Sequence, residues 1–361
     1  MAQQLQEQYS ELVLAKLRNE LVLKDGVVFN NDFDGDPAAG AVKIPTRDDE
    51  VAAGDYDRAA GVAPTTGNTA YTTLPINRDK AVNEIIDGYE AAAVPDTLVA
   101  ERLDSAGYSL GRAMDTDGAA ELLAGGTVVG VSAIDQNSVY GVLVAQRTQM
   151  SKDNIPAAGR YALCTPDVIA AVVRSPEFTQ ASSLGDEVKQ SGAIGRIAGF
   201  NVIEFNDATA NLSMICGHPR FATRVRAWQA PVRLQSLDGS GKYIGASAVQ
   251  GRMVYAHKVL RQKGVRCVYA PVAMTVAAGA GATAGTTVLT LSDTSDATGY
   301  KYVKNPAVRA VFGAAHSGAA LTGGTTEIGA VAGDVIEVAG IKAGKVVAVG
   351  YVTLTAAGIK A

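Results

Sequence analysis

The side chains that most often carry out chemistry are few in this sequence and lie far apart. The imidazoles and thiols are His218, His257, His316, Cys164, Cys216 and Cys267. A zinc site needs such ligands in closely spaced pairs, and the nearest approach to that pattern is Cys216-Gly217-His218, which we interpret as a turn. The cysteines are odd in number and widely separated. They therefore predict buried small residues in a reducing compartment, not a disulfide framework.

Three short motifs resemble known ligand sites, and each lacks a required residue. Gly239–Lys242 ends like a phosphate-binding loop, but Tyr243 stands where Ser or Thr would bind magnesium. Gly245–Val249 lacks the final glycine of a nucleophile elbow. Asp32–Asp36 begins like a calcium-binding loop, but Pro37 replaces its glycine. We therefore expect no catalytic residues, no metal site and no cofactor, and we predict that the chain is not an enzyme.

The charge of the chain argues against a general affinity for phosphates or anionic lipid. Its formal net charge is -4, so any contact with nucleic acid would be local and not sequence-specific. We interpret its two basic stretches as a salt-bridged face between subunits; they contain Arg220, Arg224, Arg226, Arg233, Lys258, Arg261, Lys263 and Arg266. Met1–Glu20 lacks the features of a signal peptide, and no stretch approaches the ~20 apolar residues that cross a bilayer. We expect a protein made in the cytoplasm.

The elements that would position such residues begin with a helix, a strand and a long segment that lacks core residues. Apolar residues from Leu5 to Leu21 recur at helical spacing and predict an amphipathic helix, and Val27–Phe29 predicts a strand. From Pro45 to Thr73 little could form a core, yet β-like sequence bounds the segment on both sides. It is either a long hairpin arm that contacts another subunit or a solvated loop. The segment alone does not decide between them.

The rest of the chain alternates helices and strands before a β-rich end. Pro95-Asp96 predicts the start of a long helix that runs towards Leu123, with Asp96 as its cap. Arg160–Cys164 predicts a strand and Pro166 the start of a helix. Ala277–Thr286 has the composition of a linker, and we place a domain boundary near Pro271. Short strands after the linker predict a small all-β module.

The order of these features, with two motifs, resembles the major capsid protein of tailed bacteriophages. The motifs are Arg160–Asp167 and the glycine-punctuated Gly192–Val202. The resemblance covers residues 1–270 and implies an α+β fold of the Hong Kong 97 type, followed by an all-β domain at 271–361 that resembles the immunoglobulin-like modules of some phage capsid proteins. Its parts are then an N-terminal arm (1–24), an extended loop (42–76), the spine helix of a peripheral domain (95–123) and an axial domain (126–238).

This resemblance implies a structural protein that self-assembles into the icosahedral head around the phage genome. We expect hexamers and pentamers of this chain in a virion, assembled in the host cytoplasm, with scaffolding, portal and decoration proteins as further partners, enclosed DNA, and no membrane. Charged residues of the extended loop would select the register between subunits through many weak pairs; they are Arg47, Asp48, Asp49, Glu50, Asp55, Asp57 and Arg58. The alternatives are a bacterial nanocompartment (encapsulin-like) shell and a β-rich surface adhesin.

Overall fold

The computed structural model describes residues 18, 20–33, 35–36, 39–46, 53–59, 61–62, 70–89, 97–176, 195–238, 241–293 and 295–361. The predicted N-terminal helix up to Leu17, the helix cap Asp96 and the loop residues Arg47–Glu50 lie outside these ranges. The chain divides into two compact units, the first formed by 1–121 with 222–260 and the second by 122–221 with 261–361.

The helices and strands follow one another in mixed order. The helices are α1 (Thr97–Gly125), α2 (Val139–Lys152) and α3 (Pro166–Arg174). The strands are β1 (Ala41–Thr46), β2 (Ala70–Pro75), β3 (Arg78–Ile86), β4 (Thr127–Gly130), β5 (Tyr161–Cys164), β6 (Arg196–Ile197), β7 (Phe200–Glu204), β8 (Leu212–Gly217), β9 (Ala222–Ser236), β10 (Ser247–Val259), β11 (Val265–Tyr269), β12 (Val272–Ala273), β13 (Thr275–Ala280), β14 (Thr286–Ser292), β15 (Gly299–Lys304), β16 (Ala319–Leu321), β17 (Ile328–Gly329), β18 (Val335–Lys342) and β19 (Lys345–Thr353).

The first unit is built on an antiparallel sheet in the order β3-β10-β9. Alternate residues of β10, from Val249 to Val259, are buried, as expected for a strand with one face on a core. Leu110 of α1 packs against Met253 and Tyr255 of that face. Gly251 lies in the same row, where a Cβ would sit 2.7 Å from Val232 Cγ2 of β9 and 3.1 Å from Leu110 Cδ1, so a larger residue there would displace these neighbouring side chains.

The long helix predicted from Pro95 is confirmed over its described length, since α1 runs from Thr97 to Gly125. The predicted strand at Val27–Phe29 is wrong. Gly26 has a φ of +78° and Gly26–Val28 form a turn, because glycine readily adopts this left-handed conformation. Strand β3 was missed, since its charged residues give a weak alternation of apolar side chains.

The second unit contains a six-stranded mixed sheet in the order β4-β11-β8-β5-β7-β6. Strands β5 and β8 are buried along their whole length, which explains why apolar residues occupy both faces of these strands. The predicted strand at 160–164 and the helix at Pro166 are confirmed. The predicted turn and strand after Gly195 are also confirmed, and Phe200 of β7 is fully buried in the core with α2 and α3.

A buried arginine holds the chain that leads into this sheet. Arg160 is buried, and its guanidinium donates hydrogen bonds to the carbonyl oxygens of Pro156, Arg147 and Ile155 at 2.9, 3.2 and 2.6 Å. Burial is the main cause that lowers the pKa of this guanidinium. These bonds tie the end of α2 to the turn that follows it and leads into β5.

Residues 271–361, the C-terminal module, form β structure with one short 3₁₀ turn among their described residues. One sheet has the order β12-β19-β18-β15-β16 and the other β13-β14-β17. The predicted linker at Ala277–Thr286 is wrong, because Thr275–Ala280 forms β13 and pairs with β14. Its small side chains suggested a tether, but they allow close packing, as where Ala278 lies 3.3 Å from a Cβ built at Gly358.

Two boundaries in the sequence interpretation differ from the grouping of contacts. The axial domain predicted from the sequence ends at Asp238. In the structure, Ala222–Ser236 pairs with β10 and belongs to the first unit. The sequence also separates residues 271–361, whereas they group with 122–221. Within the described part of the chain, no helix has the length and apolar character needed to span a membrane.

Candidate assembly interface

The segment predicted as an arm begins as a paired hairpin. Strands β1 and β2 are antiparallel, with Ala41 opposite Pro75 and Thr46 opposite Ala70. Ile44 and Leu74, one from each strand, are buried against Val225 and Ala256 of the first unit. The base of the arm, the stem (41–46 and 70–75), therefore packs on its own subunit. This differs from the sequence interpretation, in which the arm had no core within its own chain.

The described distal residues of the arm lack such cover. Tyr56 is 74% exposed and Val62 is 49% exposed, and Tyr71 on the stem is 64% exposed. Exposed aromatic and apolar side chains close together are typical of surfaces that bind proteins. The distal arm thus presents apolar area that its own subunit does not bury.

The predicted charges of the arm fall into three groups. Arg47–Glu50 lie outside the described residues. Asp57 has a local role, because its carboxylate Oδ1 accepts a hydrogen bond from the Ala59 amide at 2.6 Å and its carbonyl accepts one from the Gly61 amide. Asp55 and Arg58 are exposed and form no ion pair with any described residue.

An open face of the sheet β3-β10-β9 lies opposite the face that carries α1. Arg252 at its centre donates a hydrogen bond from Nε to Asp79 Oδ1 at 2.8 Å, and its guanidinium lies 5.7 Å from the ring centroid of the exposed Trp228. The hydrogen bond from Arg252 is the main cause that lowers the pKa of Asp79. A groove of about 380 Å³ lies beside these residues, bordered also by Ile76 and Val254.

A buried network holds Asp25 in the first unit. Arg224 is 3% exposed and contacts Asp25 at 3.0 Å and Asp115 at 3.5 Å. Its Nε donates to His257 Nε2 at 2.8 Å, and its guanidinium lies over the Phe29 ring. Further along, Arg18 pairs with Asp104 of α1 at 2.6 Å. Because Arg18 lies at Asp104 and the Leu23 amide at Asp115, this part of the chain follows α1 in the same direction as the helix.

The charges of this network shift its titrating groups. Burial, followed by the charge of Arg224, lowers the pKa of His257 to about 3. Burial raises the pKa of Asp115 although Arg224 and the Leu23 amide act against it. His257 is therefore neutral at neutral pH, and it serves as a hydrogen-bond acceptor for Arg224.

These ion pairs correct the interpretation of the basic stretches. The sequence predicts that they form salt bridges between subunits, but Arg224 and Arg226 pair with Asp25 within the chain. Sequence reasoning missed this network because Arg224 and Asp25 are 199 positions apart. The only available signal was an acidic residue beside a turn glycine at Asp25-Gly26.

The histidines have separate local partners, and the cysteines lie on the neighbouring strands β5, β8 and β11. His218 contacts the carbonyl of Ala158, and His316 lies 3.3 Å from Glu337. Burial raises the pKa of Cys164 and of Cys267 to about 12, and all three cysteines are free and buried. Among the described residues, no group of His, Cys, Asp and Glu side chains has the arrangement of a metal site.

Comparisons with known proteins agree with this architecture. Residues 88–270 match the profile of a family described as "Phage capsid protein". No curated protein matches the chain.

Solved structures share the fold at low sequence identity. A structure from Mycobacterium phage Che8 has a TM-score of 0.60 at 19% identity, covering 73% of this chain and 96% of that one. The capsid of the cyanophage P-SCSP1u has a TM-score of 0.62 at 14% identity, with 73% and 92% covered. The mature capsid of bacteriophage PhiM1 has a TM-score of 0.53 at 11% identity, with 72% and 92% covered.

The α+β architecture, with its hairpin, long helix and two units, is that of the Hong Kong 97 type predicted from the sequence. Because the family profile spans just over half of the residues, this chain belongs to the phage capsid protein family and is a major capsid protein of the phage head.

Proposed function

We propose that this capsid subunit builds the head through contacts between the distal part of its hairpin arm and neighbouring copies, arranged in hexamers and pentamers. One observation carries this proposal. The stem is fixed to its own subunit by Ile44 and Leu74, whereas Tyr56 and Val62 beyond it remain exposed. A fixed base with an uncovered end suits a contact made outside the subunit.

Most of the binding free energy of such a contact would come from buried apolar surface and little from any single ion pair. Burial of apolar surface contributes about 25 cal/mol per Å², whereas exposed ion pairs contribute ~0–1 kcal/mol each. We therefore assign affinity to Tyr56, Val62 and Tyr71. We assign the choice of register to the charged residues Asp55 and Arg58, because like charges brought together disfavour a wrong register.

The open sheet face is the acceptor we propose for the arm of a neighbouring subunit. It offers an exposed aromatic ring at Trp228, an apolar border at Ile76 and Val254, and the charged pair Arg252–Asp79. Tyrosine and valine of the arm match the apolar part, and Arg58 and Asp55 match the charged part. The net charge of -4 gives no general attraction to phosphates, so the enclosed DNA would be retained by the closed shell without sequence-specific contacts.

Further parts of this proposal concern the particle and its setting. The subunit would assemble in the host cytoplasm, and scaffolding, portal and decoration proteins are its proposed partners. Residues 271–361 would form an immunoglobulin-like domain. Residues 1–24, 42–76, 95–123 and 126–238 would serve as the N-terminal arm, extended loop, spine helix and axial domain.

Electron microscopy of the purified protein tests this function. We expect uniform closed shells with five-fold and six-fold clusters of subunits, and phage DNA inside particles isolated from infected cells. Monomers that stay dispersed at high concentration would contradict self-assembly. Shells that enclose an enzyme and no nucleic acid would instead support a nanocompartment.

A further inference from the structure

A segment of the C-terminal module lies beside the edge of the six-stranded sheet. We call Arg309–Gly313 the strap. Val311 forms an antiparallel bridge with Ser132, and the Phe312 amide donates to the Val131 carbonyl at 3.0 Å. Ser132 and Val131 directly follow β4, the edge strand of the sheet. The strap thus supplies a backbone partner to the residues that extend the edge strand β4.

The packing around β4 fits the strap closely. A Cβ at Gly130 would lie 2.1 Å from the Phe312 carbonyl oxygen, so residue 130 must be glycine for the strap to lie where it does. The Phe312 ring stacks on Tyr269 at the end of β11, with ring centroids 5.5 Å apart and planes at 20°. Tyr269 also accepts a hydrogen bond from the Val131 amide at its carbonyl.

A buried carboxylate holds the strap from the side of the module. Glu337 of β18 is almost completely buried, and its Oε2 accepts a hydrogen bond from the Ala310 amide at 2.9 Å. Its Oε1 lies 3.3 Å from His316 Nε2. Buried carboxylates require such partners, so the course of the strap is determined by the interior of the module. Arg309 adds an ion pair with Asp135 at 3.0 Å.

The connection between the sheet and the module is short. Strand β11 ends at Tyr269 and β12 begins at Val272, and the two intervening residues, Ala270 and Pro271, are buried. Asn211 of the loop before β8 donates from Nδ2 to the Val347 carbonyl of β19 at 2.9 Å. The module therefore contacts the six-stranded sheet and its loops in three places: at the strap, at this connection and at Asn211.

We infer that the C-terminal module stabilises the six-stranded sheet directly, with the strap holding the end of the edge strand β4, and that it is not a separable attachment. The contacts that support this role lie within one chain, so it does not depend on the assembly proposed above. Opening of the strap and exposure of the β4 edge are coupled as one local unfolding event.

Hydrogen exchange measured by mass spectrometry on full-length, unassembled subunits tests the inference. The variant Phe312→Ala removes the stacked ring and retains the backbone. We expect exchange to rise about tenfold in peptides that cover 127–134 and 309–314, by the same factor in both, because local opening controls exchange. The matched control Val308→Ala changes a residue that is 80% exposed beside the strap, and it should leave both peptides unchanged.

A second variant guards against a general loss of folding. Arg309→Ala removes the exposed ion pair with Asp135. It should accelerate hydrogen exchange in both peptides by a smaller factor than Phe312→Ala does. Faster exchange confined to 309–314, with 127–134 unchanged in Phe312→Ala, would overturn the inference. A strap that exchanges in the wild type as fast as an unstructured peptide would also overturn it.

Discussion

The strap and the hairpin arm are both extended segments, and they differ in where their partners lie. The strap finds its partners within the chain, since Phe312 stacks on Tyr269 and Ala310 is held by Glu337. The distal arm leaves Tyr56 and Val62 exposed. An extended segment whose side chains and backbone find partners within the chain supports folding. One whose apolar side chains stay exposed is suited to assembly. The stem combines both, because it packs on its own subunit and carries the uncovered end.

The largest effect on stability is expected at a completely buried side chain in the core of the second unit. Phe200→Ala removes a ring from the core between the sheet and its helices, where its exposure is zero. Such a change costs about 3–5 kcal/mol of unfolding free energy, through lost burial and the cavity left behind. Denaturant unfolding of unassembled subunits measures this. An unfolding free energy within ~1 kcal/mol of the wild type would contradict the placement of Phe200 in the core.

A second effect, which appears only as the pH falls, is expected at the buried network of the first unit. The pKa of His257 lies at about 3 in the folded chain, below its ordinary value of 6.5. The unfolded chain therefore binds a proton first as the pH falls. The folded state loses stability between pH 6.5 and about 3, by up to ~1.4 kcal/mol per pH unit from this group.

The variant His257→Gln isolates this contribution. Glutamine keeps an acceptor for Arg224 Nε but does not titrate, so unfolding free energy should depend less steeply on pH in this window than in the wild type. Asp25, Asp115, Arg226 and Arg78 face the same site and are the same residues in both proteins. Equal slopes for the two proteins between pH 6.5 and 3 would show that His257 is not held neutral.

Part of this picture could be predicted from the sequence. The helix α1 and the strand β5 could be predicted, because burial requires apolar residues at helical spacing in the first and a continuous apolar run in the second. The hairpin could be placed by the β-like residues on both sides of a segment without a core. The Arg224 network and the strap could not be predicted, because their partners come from distant parts of the chain. The strand β13 was hidden because its small residues also suit a linker.

The smallest effect on stability is expected in the distal arm. Tyr56→Ala removes a ring that is 74% exposed, so the unfolding free energy should change by no more than ~0.5 kcal/mol. Shell yield at limiting subunit concentration should nevertheless fall, because aromatic residues often carry the energy of an interface. Light scattering during assembly measures this, with Tyr56→Phe as the control that keeps the ring. Equal yields for Tyr56→Ala and wild type would remove Tyr56 from the interface.

The most direct measurement of the central claim is electron microscopy of a subunit with a shortened arm. Residues 47–69 would be replaced by Asn-Gly, a dipeptide that closes a tight hairpin, because Thr46 and Ala70 are paired. The stem and the contacts of Ile44 and Leu74 would then remain. We predict subunits that unfold like the wild type and form no closed shells. Closed shells of wild-type size from this variant would contradict the account.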